Sequence, residues 1–151
     1  VVLDETYESS LAFDRILRML NNADELLLVT IIDEHEVEKL LKEQGQHHLP
    51  AYESLKLSKA DDLATSIQNQ YRLICEERNL HHNYIFELGD SGEDVCAIIE
   101  QEQVDLCVVP FGPLEKKGFF SRVRLSNLSE YLYHNGKCDI IVVKEKRVDK
   151  Q

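Results

Sequence analysis

The sequence predicts an α/β domain built on a parallel sheet with helices on both faces. Short apolar runs at 1–3, 26–32, 83–88, 104–110 and 138–143 have the length and flanking turn residues of buried strands. Between them lie segments whose apolar residues recur at the helical period. The two patterns alternate along the chain, the order that sets parallel strands side by side through right-handed helical crossovers. The 151 residues suit one domain, and a chain of this length buries roughly 70% of its unfolded surface, so it needs no staples. The domain is expected to span 1–146, with 147–151 as a charged tail.

Charge narrows the partners. A formal net charge of -11 argues against nucleic acid or an anionic membrane as the main partner. No apolar run approaches the roughly 20 residues that span a bilayer, and no secretory signal is present. A cytoplasmic chain without membrane insertion is therefore expected. Val1-Val2-Leu3 begins as a strand already under way, which would suit a domain cut from a larger parent. Cys75, Cys96, Cys107 and Cys138 form no CxxC pair and sit among apolar residues, as buried free thiols of a reducing compartment do.

Taken in order, Val1–Leu3 ends at Asp4. A first helix over Thr6–Asn22 presents Phe13, Ile16, Leu17 and Leu20 on one face, capped by Thr6 or Asp4. Leu26–Ile32 is a buried strand. Val37, Leu40 and Leu41 suggest a short helix, and 45–50 a loop. From Ser58, which with Asp61 resembles a capping box, a helix runs through Ala60, Leu63, Ala64, Ile67, Tyr71, Ile74 and Cys75. Asn83–Leu88 is a short strand. Gly89 is expected to turn sharply at positive φ into a helix capped by Ser91 or Asp90 and burying Val95, Ile98 and Ile99. The strand ending near Pro110 leads through a Lys/Arg-bearing loop to a helix starting at Ser126, with Leu128, Tyr131 and Leu132 inward. Gly136 should close that helix in the left-handed conformation, and Cys138–Val143 is the last strand.

These residues carry a resemblance. Asp4-Glu5-Thr6-Tyr7-Glu8-Ser9-Ser10-Leu11-Ala12 resembles the D-x-S/T-x-x-S-x-x-A opening of the universal stress protein family. Gly89-Asp90 resembles its G-D-P turn, Asp105–Val109 its D-L-I-V-M strand, Asn127–Leu132 its S-V-S-E-Y-V helix, and Cys138–Lys144 its C-P-V-L-V-V closing strand. The resemblance covers nearly the whole chain. It implies a single open five-stranded parallel sheet in the order 3-2-1-4-5, of the adenine nucleotide alpha hydrolase-like type, and a regulatory stress-response role.

Some family members bind ATP through G-x-x-G followed, nine residues on, by G-S or G-T, where backbone N–H groups cradle the phosphates. Here Pro110 stands at the first glycine and has no N–H to donate. Gly112 is displaced by two positions, the intervening loop is longer, and Ser126-Asn127 replaces G-S. By resemblance Asp4 and Ile31 meet the nucleoside and Thr6 lies beside them. Gly112, Lys116, Ser126 and Asn127 face the phosphates, with magnesium if ATP binds.

Each feature also has a plain structural reading. Asp4 is a ligand-facing carboxylate or a helix cap. Lys116, Lys117, Arg122 and Arg124 form an anion-binding arm or a solvated loop. Phe119-Phe120 is a lid or, better, an anchor for the loop. His47-His48 and His81-His82 read as surface histidines, because neighbours point apart in extended chain and lack the spacing of metal ligands. No nucleophile–base pair, paired catalytic carboxylates or P-loop is present, so at most slow ATP hydrolysis is expected. Three roles remain open. The chain is a dimeric regulatory module with ATP binding weakened or lost, or an ATP-binding switch using the basic 113–124 loop. The third is a cytoplasmic sensory domain of a larger protein such as a transporter. The homodimer is expected to form through 139–144, an apolar, β-branched edge strand that invites pairing, and a protein partner is possible.

Overall fold

The computed structural model describes residues 1–89, 91–111 and 124–145. The order is α1 (Tyr7–Leu17), β1 (Leu26–Asp33), α2 (Glu34–Glu43), α3 (Tyr52–Glu77), β2 (His82–Gly89), α4 (Ser91–Gln101), β3 (Leu106–Pro110), α5 (Arg124–Asn135) and β4 (Asp139–Val143). β1 pairs in parallel with β2 from Leu26↔His82 to Asp33↔Gly89, and β3 with β4 from Leu106↔Asp139 to Pro110↔Val143.

Val1–Leu3 lies between the two pairs. On one side Val29 N donates to Val1 O at 2.9 Å and Leu3 N to Val29 O at 2.8 Å, and Val2 bridges Val29 in parallel. On the other, Val2 N donates to Val108 O at 3.0 Å. In a parallel ladder the residue two beyond that acceptor returns a bond, here from residue 110 to Val2 O. Residue 110 is proline and has no N–H. One proline therefore breaks the ladder on this side, and two two-stranded sheets result.

Side chains close the gap from both faces. Leu3, Leu28 and Val108 pack with Phe13 and Ile16 of α1 and Tyr71 and Cys75 of α3. Their neighbours along the strands, Val2, Val29 and Val109, pack with Val95 and Ile98 of α4 and Leu128 and Leu132 of α5. A third cluster joins Val37 and Leu41 of α2 to Ala60 and Ala64 of α3.

That third cluster explains why α3 begins at Tyr52 rather than at Ser58, which is exposed within the helix. Ala51 supplies no side-chain cap. Docking holds the first turns instead. Lys56 is buried, with Nζ 2.6 Å from Glu34, 3.1 Å from Glu53 and 3.6 Å from Glu38. The first helix is shorter than its periodicity suggested, ending at Leu17, although Leu17 and Leu20 still pack against the core.

The glycines also correct the sequence reading. Gly45, not Gly136, takes the left-handed conformation, at φ 69. It ends α2 in a Schellman arrangement, with Gln46 N on Leu41 O and Gly45 N on Lys42 O. Asn79 (φ 51) and Gln103 (φ 52) end α3 and α4 in the same way. Gly136 follows α5 without positive φ, and a Cβ there would lie 2.6 Å from Leu132 O. Gly89 is the last residue of β2 and likewise lacks positive φ. A Cβ there would meet the Asp94 carboxylate, the far end of a flexible side chain.

Ser91 is the first residue of α4 rather than its cap, and Asp90 lies outside the described residues. α5 starts at Arg124, two residues before the expected point. Leu128 and Leu132 are buried but Tyr131 is not; its ring lies over Gly92, where a Cβ would sit 2.9 Å from it. His47 and His48 do not point apart. The chain turns there, and their ring centroids are 3.5 Å from each other.

Candidate functional site

Asp4 follows Val1–Leu3 at the carboxyl end of the strands, where parallel sheets of this class open a crevice. The sequence left its role between cap and ligand carboxylate. Thr6 is the cap of α1, its Oγ1 accepting from Ser9 N at 3.3 Å. Asp4 Oδ1 braces that cap. It accepts from Thr6 N at 2.9 Å and from the hydroxyls of Thr6 and Ser9, while Asp4 N donates to Ser9 Oγ at 2.8 Å. Ser9 is fully buried. Sequence reasoning quoted it in a motif but gave it no role; the signal was a hydroxyl residue one helical turn after Thr6.

The second carboxylate oxygen is different. Asp4 Oδ2 is buried and has no hydrogen-bond partner among the described residues. A buried carboxylate oxygen without a donor is costly, so this atom is primed for an N–H or O–H. The charge reaches its neighbours. Burial first, then Asp4, raises the Glu5 carboxyl above the usual range. Burial first, then Asp4, pushes the Tyr71 hydroxyl up to about 12, against a hydrogen bond from Gln70.

The register Val2↔Val29, carried two residues on, brings Ile31 level with Asp4. Ile31 is partly buried against the α4–α5 side of the core. Thr6, Asp4 and Ile31 are thus gathered at one strand end. On the other flank Phe111 N donates to Val143 O at 2.8 Å, and Lys144 Nζ stands 4.2 Å above the Phe111 ring. This cation lies at the carboxyl end of β4. Gly112, Lys116, Lys117, Phe119, Phe120 and Arg122 lie outside the described residues. Arg124, Ser126 and Asn127 fall in the first turn of α5, and their side chains are likewise outside what is described.

Elsewhere the thiols are protected rather than activated. Burial pushes Cys107 up to about 11 and raises Cys75, Cys96 and Cys138, and all four are free. Among the described residues no group of three or more His, Cys, Asp or Glu is placed to hold a metal, and no helix is long and apolar enough to cross a membrane.

Paired parallel strands, helices on both faces and a braced Asp–Thr–Ser turn at the strand ends define an α/β protein of the open-sheet class. The family model of the universal stress proteins matches residues 1–144, and the chain belongs to that family. Solved structures share the fold at low identity. Hypothetical protein MJ0577 superposes with a TM-score of 0.69 at 19% identity, over 97% of this chain and 94% of its own. Universal stress protein UspA from Lactobacillus plantarum gives 0.68 at 15%, over 95% and 94%. A universal stress protein family member from Arabidopsis thaliana, solved with AMP bound, gives 0.62 at 15%, over 100% and 93%. No curated protein sequence matches the chain.

Proposed function

We propose that this universal stress protein-like module is regulatory rather than catalytic, and that its adenine-nucleotide binding is weakened or lost. Pro110 carries the reading. It ends β3 where the nucleotide-binding relatives offer a glycine N–H, and it has none to give. Asp4, Thr6 and Ile31 form the nucleoside half of the site. Gly112, Lys116, Ser126 and Asn127, with magnesium, are the phosphate half. The sheet is read as one five-stranded array, 3-2-1-4-5, with Val1–Leu3 as its first and central strand; bonds from that segment to both β1 and β3 support this order.

A second copy covers β4. That strand pairs only with β3 among the described strands, and Val142 is 37% exposed on it. An apolar open edge favours antiparallel pairing about a two-fold axis.

One observation favours the switch reading. The donor-poor Oδ2 of Asp4 suits a ribose hydroxyl, and the AMP-bound relative shares the fold. Mass spectrometry for co-purified nucleotide, then calorimetric titration with ATP and magnesium, separates the two. The regulatory reading expects no retained nucleotide and a Kd weaker than about 1 mM. Tight binding that Asp4→Asn abolishes would replace it with the switch. Sedimentation tests the dimer: Val142→Pro should yield a folded monomer, and a wild-type monomer at micromolar concentration would remove the interface.

A further inference from the structure

We propose that Lys144 is a phosphate-binding residue, held in place by the Phe111 ring. This role rests on the nucleoside half of the site proposed above and adds an anion-binding end on β4. Four residues share one level across the carboxyl end of the strands. Val2 bridges Val29, so Asp4 is level with Ile31 two residues on. Val2 N donates to Val108 O, which in a parallel ladder sets Val2 level with Val109, and Asp4 with Phe111. Phe111 N donates to Val143 O, and the β3–β4 register carried one residue past Pro110↔Val143 sets Phe111 level with Lys144. The row therefore reads Ile31, Asp4, Phe111, Lys144. Neighbouring strands lie about 4.8 Å apart, so the backbones of Asp4 and Lys144 stand roughly 10 Å from each other.

Alternation along the strands gives three of these side chains a common face. Val29, Val109 and Ile140 pack on the α4–α5 side, and Ile31, Phe111 and Lys144 follow them at even spacing. The Lys144 ammonium agrees with this, standing 4.2 Å above the Phe111 ring. The ring draws it toward β3 rather than out past the open edge of β4. Cation–π attraction holds a flexible side chain without neutralising its charge. An ammonium carries three donors, and Lys144 is exposed, so donors remain for an anion.

The row thus runs from an apolar wall, through a hydrogen-bond acceptor, to a cation. Asp4 Oδ2, buried and without a donor among the described residues, takes a hydroxyl. Lys144 takes an anion. A ribose 5′-phosphate carries its hydroxyls and its phosphate in that order, and the base attached to it falls beside Ile31. Pro110 has no N–H to offer the phosphate. Lys144 supplies a charge-assisted bond in its place, one strand farther from Asp4.

The test is an amide chemical-shift titration of the full chain with adenosine and with adenosine 5′-monophosphate, each to about 10 mM. The monophosphate should bind roughly tenfold tighter than adenosine. Lys144→Gln should remove that advantage while leaving adenosine affinity and the urea midpoint unchanged, and Lys144→Arg should keep it. Phe111→Leu should give up roughly two- to fivefold of it by releasing the ammonium. An advantage that survives Lys144→Gln overturns the role of Lys144 and leaves the nucleoside half standing. Equal binding of the two compounds to the unaltered chain overturns it as well. An unchanged advantage in Phe111→Leu overturns the part played by the ring. No shifts near Asp4 and Ile31 with either compound overturn the nucleoside half, and the role of Lys144 falls with it.

Discussion

β1 and β2 run together over eight residues each, whereas β3 and β4 pair over five. The first pair is tied by polar as well as apolar contacts. Buried Gln68 of α3 donates to Thr30 Oγ1 of β1 at 3.1 Å and to Ile85 O of β2 at 3.0 Å, and the Lys56 cluster fastens α2 to α3. Among the described residues the second pair is joined to the rest by apolar layers, a ladder bond from Val2 to Val108 and an exposed ion pair from Lys137, just before β4, to Glu100 of α4. Among the described residues the half that holds β3 and β4 thus shows the fewer directional ties. Apolar packing holds two sheets together without fixing their ladder, so chain can change at the strand ends while the core is kept.

Phe13 tests this union hardest. It is buried across the seam and meets Tyr71 edge-on at 4.8 Å. Phe13→Ala should cost about 3–5 kcal/mol in urea denaturation. One shared transition by far- and near-ultraviolet dichroism is expected; two transitions would make the halves independent units. Gln68→Leu strips the polar tie from the β1–β2 half alone and should cost about 1–3 kcal/mol, by leaving Ile85 O without that donor. A loss below that range would place the strength of this half in its packing too.

Alkaline pH probes the α1–α3 layer. Tyr71 is neutral when protonated, and its folded-state value stands at about 12 against an ordinary 10. Between those values the unfolded state binds fewer protons, so stability falls as pH rises through that window. Tyr71→Phe should flatten the fall, as seen in urea midpoints across the range. Pro110→Ala is expected to change stability least. The restored bond to Val2 adds about 0.5–1.5 kcal/mol, and the freer unfolded chain takes back about 0.4–1 kcal/mol. The readout is the new amide: slow exchange at residue 110 would mean the ladder has closed across the seam.

Periodicity made most elements legible. The faces Phe13–Ile16, Ala60–Cys75 and Val95–Ile99 are buried or packed as their spacing indicated, because burial of a stripe depends on sequence neighbours. What failed depended on distant ones. Ser58 carried a good local cap signal, but α2 docking through Val37, Leu41 and Lys56 extended α3 past it. Gly136 marked a real helix end for an unforeseen reason, since it makes space for Leu132 O rather than permits positive φ, whereas Gly89 is the last residue of β2. At the site, Asp4 and Thr6 were legible because their partners lie within five residues. The role of Pro110 in parting the sheets was not, because it depends on Val2, more than a hundred residues away.

That separation has a consequence for how the chain is made. Val2 and Val108, the pair that links the halves, are 106 residues apart in sequence. At the pace of translation, roughly 5–20 residues per second, Val2 waits roughly 5–20 s for its partner to be synthesised. During that interval Val1–Leu3 can dock against Val29 but must leave its other side open. The segment at the centre of the finished molecule is therefore among the last to be enclosed, and a nascent chain stalled before β3 would carry an unsealed core.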